Sequence, residues 1–306
     1  MTDNQKHNND KYVEDEVNII KILQDLWENK LIIIISTSIF SILAVLYSLS
    51  LPNIYDSKTL LSPVVPEGGA VQSASGISGL ASIAGIDVTS KSSSNSAKAL
   101  KKITSLSFFK DNILPNIFLP DLMAVDYWDD VTNTIMYKSN YDQETDSWNE
   151  IPSVQQSYKV FLSVLNVYED NNTGFVTIST SHQSPFISQA WTELVVNQLN
   201  NYFRMYDKKE AELSMNFLNN QMAQTSFTEI KQVIAYLLKE KMQLLALIEA
   251  NESYVFSYID PPMVMEEKLA PNRRSISILG FVFGAMLGIL ISLLKRYYID
   301  KKNQAI

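Results

Sequence analysis

The sequence predicts an α+β membrane protein: two transmembrane helices flank one large loop that mixes strands with a long helical hairpin. Three observations predict it. Leu31 to Leu51 (LIIIISTSIFSILAVLYSLSL) and Ser275 to Leu294 (SISILGFVFGAMLGILISLL) carry no charged residue. Each holds about 20 residues, which at ~1.5 Å rise per residue crosses the ~30 Å hydrocarbon core of a bilayer. After Pro185, neither Gly nor Pro appears until Pro261, so a long helical region is expected between them.

The first apolar run differs from a cleaved signal peptide. Its core is longer than an ordinary h-region, and Glu14, Asp15 and Glu16 precede it. Lys11, Lys21 and Lys30 lie before the first run, and Lys295, Arg296, Lys301 and Lys302 after the second. That bias predicts cytoplasmic termini. The chain then divides into a cytoplasmic tail (1–30), a first span (31–51), a periplasmic domain (52–274), a second span (275–294) and a cytoplasmic tail (295–306). The chain contains no Cys, which excludes a disulfide-stapled ectodomain and suits a bacterial periplasmic domain. A net charge of −8 argues against nucleic acid as a partner.

Residues 1–12 read as a disordered start. Val17 to Trp27 has amphipathic helical spacing. Asn53 to Val65 is expected to be a strand, ended by Pro63 and Pro66. Gly68 to Ser96 is rich in Gly and Ser, and within it Gly76 to Ile86 (GISGLASIAGI) reads as close backbone packing. No Lys follows with phosphate-loop spacing. Ser96 to Ile113 looks helical, with Pro115 and Pro120 expected to end it.

Ser153 and Gln156 form a capping-box pattern that opens a helix bearing Val154, Tyr158, Phe161 and Leu165 on one face. Asn166 to Glu169 and Phe175 to Thr180 read as strands joined by the turn DNNTG at 170–174. Ser184-Pro185 is a helix start, with Ser as cap. The long helical region spans about 185–250, with a break near Thr225. There Ser226 and Glu229 form a second capping-box pattern. Ser253 to Asp260 reads as extended. Pro261, Pro262 and Pro271 keep the membrane-proximal return non-helical.

The sequence offers no catalytic constellation. Its two histidines are His7, in the tail, and His182, in an expected loop. No cofactor or metal site is expected. Asp126, Asp129 and Asp130 read as a solvated loop. Tyr127, Trp128, Tyr137, Tyr141 and Trp148 read mainly as core, although such clusters also stack on sugars. In the second span Gly280, Gly284 and Gly288 recur every fourth residue, and Thr37, Ser41, Ala44 and Ser48 give the first span a similar face. Small residues at this spacing let helix backbones approach closely. The partner is either the other span or another subunit.

Several features together resemble the polysaccharide co-polymerase, or Wzz-type chain-length determinant, family of bacterial inner membranes. They are the terminal spans, the strand after the first, Gly76 with SGLASIAGI from Ser78, SHQSPFISQAWTELVVNQLN from Ser181, and the proline approach to a Gly-rich last span. One departure is the filling of Pro262 to Pro271 by MVMEEKLA, where the family spaces several prolines. The resemblance implies a periplasmic α/β base, a long protruding helical hairpin and a ring-like homo-oligomer. It implies a non-enzymatic regulator of the length of lipopolysaccharide O-antigen or a related glycan. Its partners would be itself, a membrane polysaccharide polymerase, a lipid-linked glycan and the bilayer.

On that reading Trp191, Leu194 and Val195 pack the hairpin against the base and neighbouring subunits. A second reading is an exopolysaccharide or capsule export adaptor, coupling an inner-membrane transporter or tyrosine kinase to an outer-membrane channel. The segment from Lys295 to Ile306 carries no nucleotide-binding motif, which separates the chain from kinases that share this membrane module.

Overall fold

The computed structural model describes residues 26–64, 91–251 and 253–304. Residues 1–12, most of Val17 to Trp27, and Gly76 to Ile86 lie outside them. The elements in chain order are α1 (Lys30–Ser50), β1 (Tyr55–Pro63), α2 (Lys91–Ile103), α3 (Leu106–Phe108), α4 (Leu119–Met123), β2 (Val125–Asp129), β3 (Thr134–Tyr137), β4 (Tyr141–Asp142) and β5 (Ser147–Trp148). There follow α5 (Val154–Val164), β6 (Leu165–Glu169), β7 (Val176–His182), α6 (Pro185–Gln224), α7 (Thr228–Ala250), β8 (Phe256–Asp260) and α8 (Arg273–Gln304). Two compact units result, one built on α1 and α8, the other on Pro52–Ala270.

The first unit is a pair of apolar helices, each long and apolar enough to cross a membrane. Most of their large apolar side chains are exposed, as lipid-facing residues are when no lipid is present. Helix α8 runs on past Leu294 to Gln304, so the segment expected as a tail continues the helix.

The second unit centres on a four-stranded antiparallel sheet in the order β6-β7-β1-β8. Its core joins Leu61, Val176, Ile178 and Phe256 of the sheet to Phe108, Phe109, Ile113, Phe161, Trp191, Val195 and Leu199 of the helices. The start of α6 is fastened to the sheet by hydroxyl groups. Ser188 Oγ donates to the Thr180 carbonyl and accepts from the Ser57 N–H at 2.7 Å, while Thr192 Oγ1 accepts from the Thr180 N–H at 3.1 Å. Small polar residues here allow helix and sheet to approach while every backbone group named is satisfied.

Four sequence expectations change at this level. Pro120 opens α4 rather than ending a helix, because its missing N–H is harmless in a first turn. After α2 the chain also breaks at Thr104, then continues through α3, a π turn (Phe109–Ile113) and a 3-10 turn (Leu114–Asn116). Ser184 precedes α6, but its side chain makes no capping bond. At 226–229 the second capping box does not form: Phe227 occupies the cap position and has no side-chain oxygen. The break itself falls at Thr225. By contrast, both hydrogen bonds of the Ser153–Gln156 box are present.

Three hairpin turns share one construction. Asp129, Asp142 and Asp170 each accept from a backbone N–H two residues on and from a threonine hydroxyl three residues on. The residue after each threonine is left-handed: Asn133 at φ 52, Asp146 at φ 48 and Gly174 at φ 72. The pattern D-x-x-T-[NDG] is therefore a repeated turn signal, and it explains why each hairpin closes where it does.

Candidate functional site

Helices α1 and α8 meet along the glycine face. A Cβ built at Gly280 would lie 2.3 Å from the Ala44 Cβ, and one at Gly284 2.9 Å from the Thr37 Cα. At Gly288 it would lie 2.8 Å from the Ile33 Cα. Ser36 Oγ donates across the seam to the Gly284 carbonyl at 3.0 Å. Phe40 and Phe283 close the same face edge-to-face, their centroids 5.6 Å apart. Of the two partners open to the sequence, the structure places the other span of the same chain against these glycines. Contacts of this kind need backbones near each other, because apolar side chains gain nothing by leaving lipid for another apolar surface.

The proline segment from Pro261 to Pro271 is non-helical, bends at Glu266 and Glu267, and is strapped to β1. Ser57 Oγ donates to the Met263 carbonyl at 2.8 Å, and Thr59 Oγ1 to the Asp260 carbonyl at 2.7 Å. Ile54 and Ala270 then form an isolated antiparallel bridge, with Ile54 N donating to the Ala270 carbonyl at 2.8 Å. Lys268 Nζ reaches Asn53 Oδ1 at 3.0 Å. Pro262 is buried while Pro261 is exposed. The strap brings together the strand that follows one span and the segment that precedes the other.

Trp191 and Val195 are buried at the base of α6, and Leu194 is half-buried. Trp191 stacks edge-on against His182 at 5.1 Å. Trp191 and Val195 lie within the sheet-and-helix core, and Leu194 is not part of it. Tyr202 packs edge-on against Phe108, and Tyr206 is exposed. Further along the hairpin, Lys208 pairs with Glu249 and Tyr254 donates to Asp207 at 2.6 Å, tying α6 to α7 and to the segment after it.

His182 lies at the end of β7 rather than in a loop. Its Nδ1 accepts from the Ser184 N–H at 2.9 Å, so its Nε2 carries the proton and donates to the Asp121 carbonyl at 3.0 Å. Both ring nitrogens are thereby spent on backbone. Burial pushes the imidazole pKa down, against a weaker opposing pull from these bonds and from Asp121. Asp121 itself is pushed up by burial and accepts from the Tyr137 hydroxyl at 2.6 Å. The group orients a helix entry; no hydroxyl nucleophile is placed on the imidazole.

Among the described residues no His, Asp and Glu group is placed to hold a metal ion. Asp129 does not cluster with Asp126 and Asp130 around a site. Its carboxylate is held below the usual range by the Thr132 hydroxyl and the Val131 N–H of its own turn. Tyr137, Tyr141 and Trp148 pack on one another and on Phe118, whereas Trp128 packs separately between Tyr55 and Phe186.

Residues 15–109 match the family model described as Wzz, chain length determinant protein. That segment, about a third of the chain, is similar to the family. The matched segment includes α1, β1 and α2. The two apolar helices of the chain fit a two-pass membrane protein. Two solved structures are also similar. A full-length bacterial polysaccharide co-polymerase shares 14% identity over 92% of this chain and 98% of its own, with a TM-score of 0.42. A fragment of WzzB, a polysaccharide co-polymerase from Salmonella Typhimurium, shares 12% over 71% and 100%, with a TM-score of 0.32. Among curated proteins none matches the sequence.

Proposed function

We propose that this chain sets the modal length of a surface glycan, of the lipopolysaccharide O-antigen type or a related polymer, as a non-enzymatic oligomeric scaffold acting on a membrane polymerase. The family match over residues 15–109 carries the reading. It is an inner-membrane protein with both termini cytoplasmic and residues 52–274 in the periplasm. Gly280, Gly284 and Gly288 hold its two spans together. Pro261, Pro262 and Pro271 carry the chain back to the membrane. Trp191, Leu194 and Val195 seat the hairpin on its base.

A homo-oligomer is supported by the hairpin surface. Tyr206, Leu213, Phe217, Val233, Tyr236 and Met242 are exposed on α6 and α7 in a single chain. A helix pair with this much uncovered apolar area outside the bilayer calls for a further protein surface. The catalytic groups required of a glycan-synthesising enzyme come from the polymerase, and this chain supplies position.

Deleting the gene and resolving the surface glycan by size tests the proposal. Polymer should still be made, with an altered length distribution. Complete loss of surface polymer would instead favour the export adaptor.

A further inference from the structure

The four-stranded sheet is packed on one face. Val176, Ile178 and Leu61 lie in the core, and the Thr180 hydroxyl donates to the Ser188 carbonyl of α6 at 2.8 Å. The residues between them point to the opposite face, because side chains alternate along a strand. The register sets these out in rows across β6, β7 and β1. Asn166, Ser179 and Lys58 form one row; Tyr168, Thr177 and Leu60 form the next. Asn166 and Lys58 are exposed and Tyr168 is 62% exposed, so this face of the single chain is open.

The open face carries unspent hydrogen-bonding groups and little net charge. Ser179 is 1% exposed, and its Oγ has no partner. A buried hydroxyl left in that state costs free energy. Its cross-strand neighbours are Asn166 on one side and Lys58 on the other. Among the described residues, the side chains of Asn166, Tyr168 and Thr177 make no hydrogen bond either. Lys58 Nζ lies 3.6 Å from one oxygen of Asp56, whose other oxygen accepts from the Ser181 hydroxyl at 3.0 Å. That pair cancels its own charge. Asp260, opposite Leu60, adds one carboxylate at the β8 edge.

This chemistry selects an occupant. The centre of an obligate protein interface is apolar and depleted of charge, whereas here a polar row runs through the middle of the face. A sugar ring has an apolar C–H face and a rim of hydroxyls. It matches an exposed tyrosine ring beside an amide and two hydroxyls, which offer both donors and acceptors. With the lysine already paired and a carboxylate at the edge, an anionic polymer gains nothing here.

We propose that the open face of the sheet binds an uncharged stretch of the surface glycan. Tyr168 stacks on a sugar ring, Asn166 and Thr177 bond its hydroxyls, and the Lys58 side chain turns aside so that Ser179 gains the partner it lacks. This inference rests on the chain-length reading and adds a direct contact to it.

The full chain, in nanodiscs of phosphatidylethanolamine and phosphatidylglycerol, is titrated calorimetrically with lipid-free surface polysaccharide purified from the parent strain. The parent chain should bind. Tyr168→Ala and Asn166→Ala should each weaken binding about tenfold. Ser179→Ala should weaken it several-fold while its unfolding midpoint holds or rises, because the variant removes an unsatisfied hydroxyl. Phe217→Ala, on the hairpin, should bind like the parent. Parent-like affinity in Tyr168→Ala and Asn166→Ala overturns the site. A changed crosslinking pattern in Tyr168→Ala with unchanged glycan affinity overturns it in favour of a second copy on this face. If the parent chain binds no polysaccharide while length regulation in cells persists, the contact is overturned and the chain-length reading stands. Absence of both overturns both.

Discussion

Gly284 lies so close to Thr37 that a Cβ on the glycine would stand 2.9 Å from the Thr37 Cα. The same Cβ would stand 2.8 Å from the Phe40 Cβ and 3.2 Å from the Ser36 carbonyl oxygen. Two of these three neighbours are backbone atoms, which cannot rotate away. Any side chain at 284 therefore has to move a helix.

Gly284→Leu should separate α1 from α8 at a cost of about 1–3 kcal/mol, the usual range for overpacking. The span stays apolar, so membrane levels should be normal. Phe281→Leu, at an exposed position of α8, is the control and should be neutral. Thermal unfolding of the detergent-solubilised chain reads the difference. On the proposed function, Gly284→Leu should also broaden or shift glycan length.

Trp191→Ala should cost about 3–5 kcal/mol, since the indole is 6% exposed and packs on His182. An unchanged unfolding midpoint with unchanged crosslinked oligomers would contradict its place in the core.

Gly174→Ala should destabilise by about 1 kcal/mol, and Gly174→Asn by less. No atom stands within 4 Å of a Cβ built there, so the cost is the left-handed backbone alone, at φ 72. Asn133→Gly should destabilise slightly, because it frees the unfolded chain and removes the acceptor that takes the Trp128 Nε1–H at 3.0 Å. Denaturant midpoints of the three variants should order accordingly.

Acidification should weaken the fold through His182. Its pKa is lowered by burial, so the unfolded chain, with an ordinary value of about 6.5, binds the proton more readily. The stability is therefore intact above about pH 6.5 and lost as pH falls through the lowered folded value. The second proton would face the Ser184 N–H, donor against donor. Asp121 acts in the opposite sense, because burial raises its pKa and protonation relieves it. Unfolding midpoints measured from about pH 7 to 5.5 should fall for the parent chain and flatten for His182→Gln.

The larger features were legible because each rests on a local signal of high contrast. Two uncharged runs announce α1 and α8, and the Pro185-to-Pro261 interval, free of Gly and Pro, announces the long helix pair. The Ser153 box could be read because Ser and Gln occupy the only two positions that matter. The box at Ser226 could not, because the same letters place the cap one residue later, at Phe227, when the preceding helix ends at Gln224. Pro120 misleads for a similar reason: the residue that ends one helix also starts another. His182 shows a different limit. Its role depends on Asp121 and Ser184 meeting at one point, and no spacing rule brings residues so far apart in the chain together. The full pattern D-x-x-T-[NDG] is present three times in the sequence, and its repetition would have fixed all three hairpins.

The central claim, that this chain sets glycan length without making glycan, is tested most directly by controlled re-expression in a strain lacking its gene. Surface polysaccharide is resolved by size with and without inducer, at matched total polymer. The account predicts polymer in both cultures, with a defined modal length only when the chain is present. Equal length distributions, or polymer that appears only with the chain, would contradict it.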